Sequence, residues 1–207
     1  MPVLSRNSFQ EFEPAPVGNH VARCVGVIVY GTITEQNQWG EKTALKGCII
    51  WELPEEVRDF KGEEKPMTIR KEYNLSLDSR ATLSVDLCSW RGKKFTEEEL
   101  KGFELFNILN ATCFVNVIHN EASNGKTYAN VDKVTPLSKS VNCPDRVNEL
   151  IRFDFDDYYS EEFIESQSDY IKDKIKSSAE YKKKKGVSDK TTIKSEELVP
   201  RDTDLPF

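Results

Sequence analysis

The stretch His20-Val21-Ala22-Arg23-Cys24-Val25-Gly26-Val27-Ile28-Val29-Tyr30-Gly31-Thr32-Ile33-Thr34 decides the fold. Its β-branched side chains are stiff at χ1 and pack well on a pleated surface, so the run reads as a strand. Gly26 and Gly31 interrupt it, and glycine inside a strand marks a bulge or a sharp coil. The expectation is one long, kinked first strand.

Working toward the carboxyl end, a polar loop with a tryptophan in its middle follows (Glu35-Gln36-Asn37-Gln38-Trp39-Gly40-Glu41-Lys42). A second strand is expected over Thr43–Leu53, stopped by Pro54, and residues 55–66 read as a charged connector. Met67–Leu77 alternates with period 2: Met67, Ile69, Tyr73, Leu75 and Leu77 share one side, and Lys71 breaks it. The period then changes. Leu83, Leu87 and Trp90 lie at i, i+4 and i+7, so Ser79–Ser89 reads as an amphipathic helix closed by Gly92. Thr96-Glu97-Glu98-Glu99 is a capping box, with Phe95 and Leu100 placed as its hydrophobic staple. A helical insertion over 79–109, broken near Gly102, is followed by two strands, Ala111–Glu121 and Lys126–Leu137, joined through Asn124-Gly125.

The order β-β-β-α-β-β leads to a mainly β, α+β body over 20–140. It matches a five-stranded OB-fold barrel with a helical insertion at 79–109, although other small mixed domains use the same elements. Residues 1–19, polar and Pro-rich, form an arm. Residues 141–185 form an acidic, partly helical appendage, with an edge strand near Leu150–Phe155 and a helix over Ser168–Lys185. Residues 186–207 are expected to be a disordered tail.

Composition narrows the function. The chain has 207 residues, a net charge of −6 and 21 aromatic rings. It has no apolar run long enough for a membrane span and no signal-peptide h-region, so a cytoplasmic protein without membrane contact is expected. The five cysteines, at 24, 48, 88, 113 and 143, form no CxxC pair and read as reduced, mostly buried thiols. With only His20 and His119 as histidines, no metal or other cofactor is expected. No nucleophile elbow, phosphate loop, dinucleotide fingerprint or zincin motif is present, so the chain does not read as an enzyme.

An acidic chain argues against nucleic acid until the charge is placed. Residues 1–140 carry 17 basic and 19 acidic side chains, whereas 141–207 carry 12 and 16. The body is therefore near neutral and its cations are grouped. Single strands are held by aromatic platforms and by cations that track the backbone, and an OB-fold uses strands 2 and 3 and two loops for this. The candidates are Trp39 and Lys42 in the first loop; Lys46 and Trp51 on strand 2; Arg70, Lys71 and Tyr73 on strand 3; Arg91, Lys93 and Lys94 beside Trp90; and Lys126 and Tyr128 at the closing hairpin. Trp51, Tyr73 and Trp90 also sit in apolar periodicities that suit a core. Trp39, a large ring in a polar loop, does not.

The chain ends Asp202-Thr203-Asp204-Leu205-Pro206-Phe207. This resembles the acidic tip of bacterial single-stranded-DNA-binding proteins, with Thr203 in place of an acid. A terminal Phe ring suits an apolar pocket, its α-carboxylate a basic group, and Asp202 and Asp204 a basic rim. The body is more similar to phage-encoded proteins of this type. Ser89-Trp90-Arg91-Gly92, Phe95–Leu100, and His119 with Gly125-Lys126-Thr127-Tyr128-Ala129 carry that likeness over roughly 85–137. The resemblance implies a protein that coats single-stranded DNA without sequence preference and recruits replication or recombination enzymes through Asp202, Asp204, Leu205, Pro206 and Phe207; a homo-oligomer is open to it, and the sequence does not set the oligomeric state. The alternative is a replication or recombination adaptor whose OB-fold contacts proteins. The acidic segment 145–173 is either a solvated face or a phosphate mimic that competes for the DNA site.

Overall fold

The computed structural model describes residues 13–38, 40–60, 62–122 and 125–186. The long first strand exists: β1 (Gly18–Asn37) pairs antiparallel with β2 (Gly40–Phe60), which pairs antiparallel with β3 (Glu63–Asn74). The pairing of β1 with β2 shifts register between Cys24 and Gly26 and again between Val29 and Gly31, at the two glycines of the opening run.

The first shift has a topological use. Before it, Gly18–Arg23 lends its other edge to β4 (Thr112–Glu121). After it, Gly26–Ile28 pairs in parallel with β6 (Ile151–Phe153). One strand thus changes neighbours at a bulge. The second shift sets Gly31 at φ +95°, where a Cβ would lie 2.7 Å from both the Glu180 carboxylate and the Ser178 side chain. Only glycine has the backbone freedom and the size for that position.

Between β3 and β4 lie α1 (Thr82–Arg91), α2 (Glu97–Lys101) and a 3-10 turn, Leu105–Ile108. The capping box is formed as expected, Thr96 Oγ1 accepting from the Glu99 N–H and Glu99 accepting from the Thr96 N–H. After β4 comes β5 (Thr127–Pro136), and the sheet order is β3-β2-β1-β4-β5 with β6 on β1. The protein is mainly β: among the described residues, five strands form one antiparallel path, the expected edge strand joins it in parallel as β6, and a few helices pack around them. No helix among the described residues is long and apolar enough to cross a membrane.

Three boundaries differ from expectation. The polar loop over 35–42 is mostly ladder, with Glu35 opposite Lys42 and Gln36 opposite Glu41, because β1 runs on to Asn37 and β2 begins at Gly40. Strand β2 does not stop at Pro54, and residues 55–66 are not a connector: β2 and β3 continue as a ribbon turning at Gly62. Pro54 is tolerated because the β2–β3 register breaks between Leu53 and Val57, where its missing N–H takes no bond from a ladder. The expected helix over Ser168–Lys185 is two helices, α4 (Asp169–Ser177) and α5 (Ala179–Lys184), following α3 (Glu161–Ser166). Buried Ser178 makes the break, its hydroxyl donating to the Ile175 carbonyl and accepting from the Tyr181 N–H.

The sheet is covered on both faces. On the inner face Ile49, Trp51, Leu53, Met67, Ile69, Tyr73, Val115 and Val134 pack against Leu83, Leu87 and Trp90 of α1. On the outer face Val25, Ile28, Tyr30, Ile33, Cys48 and Ile50 pack against Phe153, Phe155, Ile164, Ile171 and Ile175. Each such side chain contributes roughly 1.5–3 kcal/mol when fully buried. The acidic segment is therefore the cover of the second face. Buried Glu52 secures its approach, accepting from the N–H groups of Val147 and Asn148 and from Asn148 Nδ2 at 2.7 Å.

Candidate nucleic-acid interface

The outer strands β3 and β5 face each other across an open groove of about 1370 Å³. Met67–Glu72 line one wall and Gly125–Val131 the other, with Glu13–Ala15 and Tyr170 completing it. Period-2 alternation places these groups: Ile69 and Lys71 point to the inner core, while Thr68, Arg70 and Glu72 point outward. Tyr128 is 49% exposed on the β5 side, and Tyr170, from α4, is 48% exposed at the other margin. A second concavity of about 690 Å³ meets the first at Glu72 and is lined by Lys42, Lys46, Tyr73, Ser76 and Arg80, among others.

Of the expected residues, Arg70, Lys71, Lys126 and Tyr128 meet in the groove, and Lys42, Lys46 and Tyr73 lie in the adjoining concavity. Several are already engaged. Lys46 Nζ sits 2.5 Å from Glu35, whose carboxyl is held low by hydrogen bonds from Lys46 and Lys174. Lys71 is a structural cation, 2.8 Å from Asp86 on α1 and donating to the Asp132 carbonyl of β5 at 2.9 Å. That partner, contributed by the helix, explains the lysine that interrupts the apolar side of β3. Tyr73 is buried and donates to the same Asp86 at 2.8 Å; burial first, then that carboxylate, pushes its hydroxyl pKa up.

Of the two readings open for Trp51, DNA platform or core, the structure gives the core and removes it from the candidate site. Its ring is fully enclosed on the inner face, 6.0 Å from that of Trp90, and offers no face to a base. Arg91 is likewise structural, paired with Glu99 and held over Phe95 at 4.4 Å and Phe103 at 5.5 Å. Lys93 and Lys94 follow it and line neither concavity. Trp39 and the tip residues Asp202, Asp204, Leu205, Pro206 and Phe207 lie outside the described residues.

Three elements of the groove and the concavity beside it were not anticipated. Arg80 and Tyr170 are two, and the segment Glu13–Ala15 is the third. Both histidines serve that segment: His119 Nε2 lies 2.7 Å from the Ala15 carbonyl and His20 Nε2 lies 2.8 Å from that of Pro16. Arg58 donates to the Glu13 carbonyl. Tyr170 had a faint signature, standing beside the Ile171/Ile175 stripe as the ring on the exposed side of an amphipathic helix.

The acidic segment spends much of its charge on itself. Glu165 pairs with Lys176 at 2.6 Å and Lys172 at 3.5 Å, and Glu161 with Lys185 at 3.1 Å. Asp154 accepts from the N–H groups of Asp156 and Tyr158. Among the described residues of this segment, only Tyr170 lines the groove. No three His, Cys, Asp or Glu side chains among the described residues converge as metal ligands would. The chain matches no protein-family model, and no curated protein matches it.

Proposed function

We propose that this chain binds single-stranded DNA without sequence preference, along the groove between β3 and β5 and into the concavity beside it. The observation that carries the reading is the lining itself: Arg70 and Lys126 on opposite walls with the half-exposed ring of Tyr128 between strand and solvent. Cations lining a groove serve phosphates, and an exposed ring serves any base. The strand order β3-β2-β1-β4-β5, with helices between β3 and β4, supports an OB-type barrel whose seam is this groove. The lysine bridge from β3 to β5 is consistent with such a seam.

The carboxyl-terminal tip is proposed to recruit replication or recombination enzymes, and its likeness to the acidic tip of bacterial single-stranded-DNA-binding proteins supports that role. Titration of the chain with oligo(dT) over a range of salt tests the first part. Tight binding that weakens steeply as salt rises is expected, since displaced counterions contribute a slope of about −0.7 per phosphate contacted. Absence of binding at low salt overturns it and favours a protein adaptor. Deleting Phe207 is expected to leave that titration unchanged while abolishing partner capture.

A further inference from the structure

We propose that Tyr170, supplied by the acidic segment, is a positioning residue of the groove: it holds Arg70 ready for a backbone phosphate and keeps Glu72 away from it. The inference rests on the reading of the groove as a single-strand path, and adds to it a residue from outside the five strands.

Arg70 and Glu72 stand two residues apart on the outward side of β3, where side chains of opposite charge would ordinarily pair. They do not. Both Glu72 oxygens are taken by tyrosines, Oε1 accepting from the Tyr30 hydroxyl at 3.3 Å and Oε2 from the Tyr170 hydroxyl at 3.0 Å. Arg70 makes no ion pair with any described residue, and its guanidinium lies over the Tyr170 ring, 5.3 Å from the centroid. A guanidinium resting on a ring keeps its N–H donors in its own plane, where a phosphate can take two at once. One tyrosine therefore does two jobs, its hydroxyl occupying the competing carboxylate and its ring seating the cation.

The arrangement also gives the acidic segment a part in binding. Its ring enters the groove while Lys174, one turn along α4, sits 5.7 Å from the same ring and 3.1 Å from Glu35. A phosphate mimic would bring a carboxylate to Arg70; this segment brings a hydroxyl that removes one.

The test is an oligo(dT) titration against salt with the full chain and four variants: Tyr170→Phe, Arg70→Gln, Tyr170→Phe with Arg70→Gln, and Tyr170→Phe with Glu72→Gln. Circular dichroism confirms that each is folded. Tyr170→Phe frees Glu72 to capture Arg70, so affinity is expected to fall about three- to tenfold and the salt slope to drop by about 0.7, the value for one phosphate. Arg70→Gln is expected to do the same, the Tyr170/Arg70 pair no more than either alone, and Glu72→Gln to restore the Tyr170→Phe slope. Wild-type affinity and slope in Tyr170→Phe, or no rescue by Glu72→Gln, overturns the role of Tyr170 while leaving the DNA reading intact. A wild-type chain that fails to bind overturns both.

Discussion

The ammonium of Lys71 lies 2.8 Å from Oδ2 of Asp86, the same oxygen that accepts the Tyr73 hydroxyl. Because Lys71 also donates to the Asp132 carbonyl, a single cation ties β3, α1 and β5 together under the groove floor. Asp86→Ala strips the acceptor from the buried Tyr73 hydroxyl and the half-buried Lys71 ammonium. It is expected to cost about 3 kcal/mol in urea unfolding, at the low end for a broken buried pair because both side chains keep some solvent. Lys71→Met, which leaves Asp86 with its tyrosine, is expected to cost about half as much and to change the salt slope of DNA binding little.

Rings divide into platform and core. Tyr128→Ala is expected to weaken oligo(dT) binding by about 1–3 kcal/mol with no change in melting temperature, and Trp39→Ala to weaken it likewise. Trp51→Ala is expected to do the reverse, losing about 3–5 kcal/mol of stability as a cavity replaces the enclosed ring. Tryptophan fluorescence of the folded Trp51→Phe protein, with unchanged DNA affinity, completes the comparison.

Acid is expected to loosen the outer face. Glu180 accepts from the Thr32 N–H and hydroxyl, both at 2.6 Å. Burial works against its charge, but the Thr32 hydrogen bonds prevail and hold the carboxyl below its ordinary 4.5. A folded-state pKa below the unfolded one gives stability that is complete above 4.5 and is lost as pH falls through the lower, folded value. Wild type is therefore expected to lose more stability than Glu180→Gln between neutral pH and about pH 3, read from denaturant midpoints. At neutral pH Glu180→Ala is expected to cost about 1–2 kcal/mol.

The thiols offer a check on packing. Cys24, Cys48, Cys113 and Cys143 are buried, and Cys88 is half-buried on α1. Burial pushes Cys24 up to about 12 and Cys48 up to about 11, so neither offers a thiolate at neutral pH. A thiol reagent is expected to label Cys88 alone in the native protein, and all five cysteines in denaturant. Fast labelling of Cys48, the buried thiol of the outer face, would show that its cover opens.

Local chemistry carried the fold further than the site. The bulges at Gly26 and Gly31, the capping box at Thr96–Glu99, the alternation along β3 and the short strand at Ile151–Phe153 all follow from signals within a few residues. What failed needed partners far along the chain. Pro54 marks a register break rather than an end, because β3 supplies the missing register. Lys71 reads as a phosphate cation until Asp86 arrives from α1, and Trp51 stays open between platform and core until Trp90 packs beside it. Tyr170 was hidden for the same reason: its meaning lies in Arg70 and Glu72, about a hundred residues earlier.

The cover on the outer face has a consequence for how the chain is made. The side chains that shield Ile28, Ile171 and Ile175 among them, come about 150 residues after it, roughly 7–30 s later at ordinary elongation rates. Until then Val25, Ile28, Tyr30 and Ile50 line a bare apolar face on a nascent chain whose edges are unpaired. Burial of this face is bound to wait for α4, and a chain cut before α4 is expected to leave it bare.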